Sequence, residues 1–313
     1  MTPCLVVLGS LNMDFVVTVD RLPAPGETVL GRGFQMIPGG KGANQACAAA
    51  RLGGSQVEVR MAGRVGYDLF ADHLKASLSA AGVDVSAVHA TRAQPTGVAL
   101  IWVDRRGQNS IVVASGANHE LAASEVGSLG GLLGGARLVL LQLETPLETV
   151  REAMALARQG GAETMLDPAP AQRLSTEFLA LADILTPNET EALILLGLPP
   201  ARVWPAEAPA LTRALRELGA RRVVLKLGDQ GCFFDDGARQ LHVPAFPVEV
   251  RDSTAAGDVF NAGLAVALAE GRPIEQALRF ASAAAAISVT RLGAQASIPA
   301  RAEVEAFLGA RQT

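Results

Sequence analysis

Chemistry concentrates in Asp252-Ser253-Thr254-Ala255-Ala256-Gly257-Asp258, near the C-terminal end of the chain. Small residues at Ala255, Ala256 and Gly257 let a ligand approach the backbone closely. The apolar segment Val259–Ala269 that follows has helical length and no proline. A helix starting here aims unpaired N–H groups and the positive end of its dipole at whatever binds, which suits an anion such as phosphate. Asp258 stands at the same terminus. Two readings fit a carboxylate there: a general base beside an anion-binding turn, or an N-cap aspartate. The preceding run, Val243–Val250, reads as a strand in which Pro244 and Pro247 mark an edge.

A second stretch, Pro38-Gly39-Gly40-Lys41-Gly42-Ala43-Asn44-Gln45, leads into an alanine-rich helical segment, Ala46–Leu52, closed by Gly53-Gly54. It is not a Walker A loop, because Gly42 follows Lys41 where Ser or Thr belongs. Nor does a G-x-G-x-x-G fingerprint follow the first strand-like run, which disfavours an NAD-binding Rossmann protein. Two readings stay open: a turn presenting Lys41 and Asn44 to a small polar ligand, or a plain tight turn before a helix.

The elements that must position these stretches alternate along the chain. Cys4–Leu8 is a short apolar run ending at Gly9-Ser10, the profile of a buried strand feeding a loop. Further strand-like runs are Val57–Ala62, Leu138–Leu143, Thr164–Leu166, Ile184–Thr186 and Arg222–Lys226. Most are followed by polar or glycine turns and helical patterns, Tyr67–Ala81 and a helix from Pro146 among them. That order predicts an α/β fold, a doubly wound, mainly parallel sheet flanked by helices. Ligands in such sheets lie beyond the carboxyl ends of the strands, and Asn12, Asp14, Glu144, Asn188, Glu191, Gly228 and Asp258 all fall near such ends. Phe15–Val19 and Thr28–Ile37, with a hairpin of Thr96–Val103 and Ser110–Ala114 around Asp104-Arg105-Arg106-Gly107, predict a separate small sheet.

Composition narrows the function classes. Hydrophobic residues make up 49% of the 313 and charged residues 19%, which favours a compact core over disorder. A net charge of −4 with scattered Lys and Arg, and only 4% aromatic residues, argues against nucleic-acid binding. Cys4, Cys47 and Cys232 lie far apart with no C-x-x-C, which offers no zinc site and fits a reducing compartment. No signal-like leader and no apolar run of ~18 residues is present, so a soluble, cytoplasmic protein without membrane contact is expected.

Taken together, Gly39–Gln45 and Asp252–Asp258, with Asn188-Glu189-Thr190-Glu191 matching an N-x-x-E motif, resemble the ribokinase-like family of sugar and nucleoside kinases, the phosphofructokinase-B superfamily. The likeness runs over essentially the whole chain. Gly9–Asp14, Pro25–Thr28, Gln142-Leu143-Glu144 and Gly293-Ala294-Gln295 resemble the members that act on free ribose. The resemblance implies one kinase domain over 1–313, with a β lid from about 14–37 and 95–115 that also forms a homodimer interface. It implies ATP-dependent phosphorylation of the 5-hydroxyl of D-ribose, with Asp258 as base and Ala255, Ala256 and Gly257 as the anion cradle. Sugar binding is implied for Asn12, Asp14, Gly40, Lys41, Asn44, Glu144 and Asp258.

Nucleotide binding is implied for Asn188, Lys226, Gly228, Asp229, Gly231, Gly257 and Ser282. The family often has a hydroxyl residue where Lys226 stands and a larger side chain where Ser282 stands. Asn188 and Glu191 are implied to organise Mg²⁺, the glutamate through water; the same pair is also a capping pair by spacing. An activating K⁺ is implied at Asp252, Thr254, Ser288, Arg291, Gly293 and Ser297. Other acceptors within the same superfamily are deoxyribose, a nucleoside or a hexose. A different class of function is a sugar- or nucleotide-binding regulator that has lost catalysis, against which the intact Asp258 and glycine turn argue.

Overall fold

The structure, a computed structural model, describes residues 2–105 and 109–311. Its main sheet has nine strands among the described residues. In spatial order they are Gln240–Val243, Cys232–Asp235, Val223–Lys226, Ile184–Leu185, Glu163–Leu166, Leu138–Leu141, Cys4–Leu8, Glu58–Gly66 and Val83–Thr91. Those from Val223–Lys226 to Val83–Thr91 are parallel, and the two at the other edge are antiparallel.

Cys4–Leu8 shows why the sheet is central. Leu5 and Val7 enter one core and Val6 and Leu8 the other, so both faces are covered and the run is apolar throughout. One core is closed by the helices Lys41–Gly53, Leu69–Ala80, Ala256–Ala269 and Ile274–Ser288, the other by Leu147–Gln159, Glu189–Leu195 and Ala208–Glu217. The alanine-rich helices pack closely: a Cβ on Gly263 would lie 3.1 Å from the Cα of Ala281. The chain winds outward from Cys4–Leu8 in both directions, to Glu58–Gly66 on one side and Leu138–Leu141 on the other, and a crevice opens where the winding reverses.

A second sheet has four strands among the described residues, in the order Arg32–Gly39, Asn12–Thr18, Gly97–Val103 and Asn109–Ala114. Asn12–Thr18 pairs antiparallel with Arg32–Gly39 and parallel with Gly97–Val103. Phe15 ties this sheet to the body, stacking on Phe34 and meeting Phe70 edge-on at 5.5 Å. Arg106 and Gly107 of the expected hairpin turn lie outside the described residues.

Several local expectations change. Val243–Val250 is not a strand: pairing ends at Val243, and 244–250 carries no regular structure. Pro244 and Pro247 lack the N–H that a ladder needs. The first long helix starts at Lys41, not Ala46, so the glycine turn supplies its first turn. The helical pattern expected over Tyr67–Ala81 is realised as Leu69–Ala80, whose buried stripe is Ala71, Leu74 and Leu78. Arg222–Lys226 is followed by an antiparallel hairpin rather than a helix, and Val83–Thr91 is a strand that the sequence pattern does not announce.

Candidate active site

Two helix N-termini meet at the crevice, and they differ in how their N–H groups are used. Lys41–Gly53 begins at Gly40, whose φ of +89° only glycine adopts cheaply. A Cβ there would lie 2.8 Å from Asn12 N and 2.9 Å from Ser10 O. At Gly42 the helix rests backbone to backbone on Gly9 and Ser10. Its first three N–H groups are satisfied: Lys41 donates to Glu144 Oε2 at 3.1 Å, Gly42 to Ser10 Oγ at 3.3 Å and Ala43 to Ser10 O at 2.9 Å. This terminus is spent on building the site.

Ala256–Ala269 is different. Its N-cap is Ala255, which holds φ +58°, and no side chain caps it. Ala256 N–H reaches Ser253 O at 3.2 Å and the first intrahelical bond is Val259 to Ala255 at 2.9 Å. Helix geometry leaves the N–H groups of Gly257 and Asp258 free for an anion. Lys226 adds a cation, since a Cβ on Gly257 would lie 3.6 Å from its Nζ.

Asp258, the first-turn carboxylate of this helix, is buried and does not cap it. Its Oδ2 accepts from Asn44 Nδ2 at 3.1 Å and its Oδ1 from Gln45 Nε2 at 3.0 Å. Burial raises its pKa to about 6; the Lys41 charge opposes this, Asp167 reinforces it, and the two amides favour the ionised form. It is therefore ionised at neutral pH and still basic enough to take a proton. For Lys41, burial pulls the pKa down, but Asp258, Asp167, Glu144 and Glu191 together hold it above its ordinary value.

On one side of Asp258 lies a cluster of hydroxyl-binding groups. Glu144 Oε2 accepts from Ser10 Oγ at 2.5 Å as well as from Lys41 N, which leaves Oε1 without a donor among the described residues. Asn12 Oδ1 accepts from Asn118 Nδ2 at 2.8 Å, so the Asn12 amide presents its N–H₂ outward. Asn118 is fixed in turn: it accepts from Leu11 N at 2.9 Å and donates to Leu11 O at 3.2 Å. Asp14, at the base of the small sheet, has its pKa raised to about 7 by burial and by the carboxylates of Glu144 and Asp258. Asn44 is tied to Asp258, and its Oδ1 also accepts from Gln295 Nε2 at 3.3 Å.

On the other side a largely apolar cleft of about 430 Å³ runs between the Gly228–Gln230 turn, the 245–250 segment and the helix Ile274–Ser288. Lys226, Gly228, Asp229, Gly231, Gly257 and Ser282 all line it, with Phe246, Val250 and Phe260 supplying apolar walls. Asp229 is exposed and ion-paired to Arg202 at 2.9 Å. Asn188 and Glu191 form a complete capping box, with bonds of 2.8 and 2.7 Å, plus Asn188 Nδ2 to Glu191 Oε1 at 2.9 Å. Burial raises the Glu191 pKa, opposed by Lys226.

The residues marked for a monovalent cation form a loop pair. Asp252 Oδ1 accepts from Thr254 N at 2.9 Å and Thr254 Oγ at 2.6 Å, while Oδ2 accepts from Gly293 N at 2.8 Å. Ser288 and Ser297 turn their hydroxyls back to Ala285 O and Ala294 O, and Arg291 turns away to Glu303.

Sequence reasoning does not single out Asp167, Gln45, Gln142, Ser10 or Asn118 as functional. Asp167 is buried at the end of Glu163–Leu166, 3.2 Å from Lys226 Nζ and 2.9 Å from Gln45 Nε2. Its place at a strand end followed by two prolines is the available signal.

Comparison with known proteins follows this geometry. The family model described as pfkB family carbohydrate kinase matches residues 3–301. A ribokinase of Haemophilus influenzae is 42% identical over 98% of this chain and 99% of its own length. A deoxyribokinase of Salmonella typhi is 35% identical over 96% of this chain and 97% of its own. The structure of Arabidopsis thaliana ribokinase complexed with ribose and ATP superposes with a TM-score of 0.89 at 34% identity, covering 98% of this chain and 99% of that one.

Proposed function

The chain belongs to the pfkB family of carbohydrate kinases, and we propose that it transfers the γ-phosphoryl group of ATP to the 5-hydroxyl of D-ribose. The observation that carries this reading is the position of Asp258: a buried carboxylate at an uncapped helix N-terminus, between a cluster of hydroxyl-binding groups and an apolar cleft.

The sugar sits against Asp14, the free oxygen of Glu144 and the outward amide of Asn12, which give acceptors and a donor to its hydroxyls. A site with such groups rejects a sugar lacking a hydroxyl, because a buried partner is then left unpaired. This and the higher identity to the ribokinase favour ribose over deoxyribose. Adenine lies in the apolar cleft, and the phosphates point to the turn at Ala255–Gly257. Asp258 takes the proton of the 5-hydroxyl as that oxygen bonds to the γ-phosphorus, the bond to the bridging oxygen breaks and ADP leaves. The free N–H groups of Gly257 and Asp258, with Lys226 and Lys41, stabilise charge on the transferring group. The small sheet closes over the sugar and limits attack by water.

Among the described residues no group of three or more His, Cys, Asp or Glu is arranged to hold a metal directly. Both Glu191 oxygens already accept from Asn188, one from its backbone N–H and one from its side-chain amide, and this fits a hydrated Mg²⁺ held through its waters by that pair. When bound with ATP, Mg²⁺ neutralises phosphate charge. Among the described residues Asp252 has no ion-pair partner, and Arg291 is turned to Glu303, so the Asp252 carboxylate is left for a hard monovalent cation such as K⁺.

On one face of the small sheet Phe34, Met36, Leu100 and Val112 are exposed, and Ile111 and Val113 are exposed on the other; the first face is an apolar surface suited to a second copy of this chain. No helix among the described residues is long and apolar enough to cross a membrane, and the three cysteines are free, which fits the cytoplasm.

ADP release with Mg²⁺, K⁺ and ATP across a panel of pentoses, hexoses and nucleosides tests the proposal. Ribose is expected to give the highest kcat/KM. No release above background with any acceptor would refute kinase function, and a better deoxyribose or nucleoside would reassign the substrate.

A further inference from the structure

Beside Asp258 two glutamines, Gln45 and Gln142, are fully buried and absent from the lining of the apolar cleft. Gln45 donates from Nε2 to Asp258 Oδ1 at 3.0 Å and to Asp167 Oδ2 at 2.9 Å. Both hydrogens of that amide are thereby used, one on each carboxylate. Gln45 Oε1 accepts from Gln142 Nε2 at 2.6 Å. The flipped amide would aim a carbonyl oxygen at two carboxylates and an N–H₂ at the N–H₂ of Gln142. All three contacts would turn repulsive, so the two carboxylates fix the direction of Gln45, and Gln45 in turn orients Gln142.

Two buried carboxylates sharing a neighbour repel, and the usual relief is for one of them to hold a proton. A proton held on Asp258 would block it as a base. The charged groups around the pair come from several elements. Lys41 and Asn44 approach on the helix Lys41–Gly53, and Lys226 on its strand ion-pairs with Asp167. Glu191 faces Asp167 and Lys226, while Asp14 and Glu144 face each other and, respectively, Asp258 and Lys41. Among the described residues Gln45 is the one group that donates to both carboxylates.

We propose that Gln45, held in one orientation by the two carboxylates and backed by Gln142, is a positioning residue for phosphoryl transfer: it holds Asp258 and Asp167 as two separate ionised acceptors and keeps Asp258 ready for the sugar hydroxyl. This rests on the reading of Asp258 as the base.

The test is the pH dependence of kcat/KM in the full chain, with folding checked by circular dichroism. Gln45→Met keeps the volume and removes the donor. It should lower kcat about tenfold, leave the KM for sugar and ATP within about threefold, and move the lower acid limb, the one that belongs to Asp258, up by about one pH unit. Gln142→Met should move the limb in the same direction by less. Asp167→Asn removes the neighbouring charge and should move it down. A folded, active Gln45→Met with an unmoved limb overturns the proposal, whatever its kcat. Should that variant not fold, Gln142→Met and Asp167→Asn decide, and an unmoved limb in both overturns it. Failure of the underlying reading looks different: Asp258→Asn would then keep wild-type kcat, which removes the base and this proposal together.

Discussion

Lowering the pH from 8 to 5 should silence the enzyme in two steps that belong to two different carboxylates. Asp14 titrates at about 7 and Asp258 at about 6 in the free protein, both raised chiefly by burial. Both are raised acids, so the active, ionised forms are lost as pH falls through these values. In the proposed mechanism each carboxylate must be ionised: Asp14 to accept sugar hydroxyls, Asp258 to accept a proton. Treated as independent, at pH 6 about 9% of Asp14 and about 50% of Asp258 are ionised, which cuts kcat/KM roughly 20-fold. At pH 5 the fractions are about 1% and about 9%, and the loss approaches 10³-fold. A log plot of kcat/KM should therefore fall with a slope near one below pH 7 and near two below pH 6. Because the groups repel each other, the observed values belong to the pair. The assay is ADP release at sub-saturating ribose across this range, with stability checked at each pH. Asp14→Asn should remove the upper step and leave the lower. A flat kcat/KM between pH 5 and 8, or a lower limb that survives in Asp258→Asn, would refute the reasoning.

Three further outcomes follow from named contacts. Gly40→Ala places a methyl within 3 Å of Asn12 N and Ser10 O at positive φ; a cost of about 2–4 kcal/mol lowers Tm by about 3–6 °C. An unchanged Tm would show that the turn relaxes. Asn118→Leu leaves Asn12 Oδ1 and Leu11 N without their partner; KM for ribose should rise about 5- to 100-fold with ATP KM unchanged, since each lost buried hydrogen bond costs about 1–3 kcal/mol. Equal sugar KM values would remove Asn118 from that role. Replacing K⁺ by Na⁺ should lower kcat, and equal rates would argue against a selective monovalent site at Asp252 and Thr254.

Legibility from sequence followed the range of the interactions involved. Cys4–Leu8 was readable because burial on both faces makes a strand uniformly apolar. The Asp258 turn was readable because small residues before a helix and a carboxylate at its start are local features. Val83–Thr91 was not, because an edge strand with mixed burial shows no clean period. The 244–250 segment looks extended in sequence but has no pairing partner, a property of what lies beside it. Asn188 and Glu191 carried a capping signal that the structure realises in full. Gln45 lies 213 residues from Asp258, 122 from Asp167 and 97 from Gln142 in sequence, so its bonds exist only in the folded chain. Asp167 was visible as a strand-end carboxylate, but its partnership with Lys226, 59 residues on, was not.

The most direct test of the central claim is to identify the product. The wild-type chain, ribose, ATP and Mg²⁺ are followed by ³¹P NMR beside Asp258→Asn. A single phosphoester on the 5-oxygen, formed together with ADP, is expected for the wild type. For Asp258→Asn, formation should be about 10²-fold slower or more, with ribose binding by calorimetry retained. An ester at another hydroxyl, no ester at all, or an equal rate in Asp258→Asn would contradict the account.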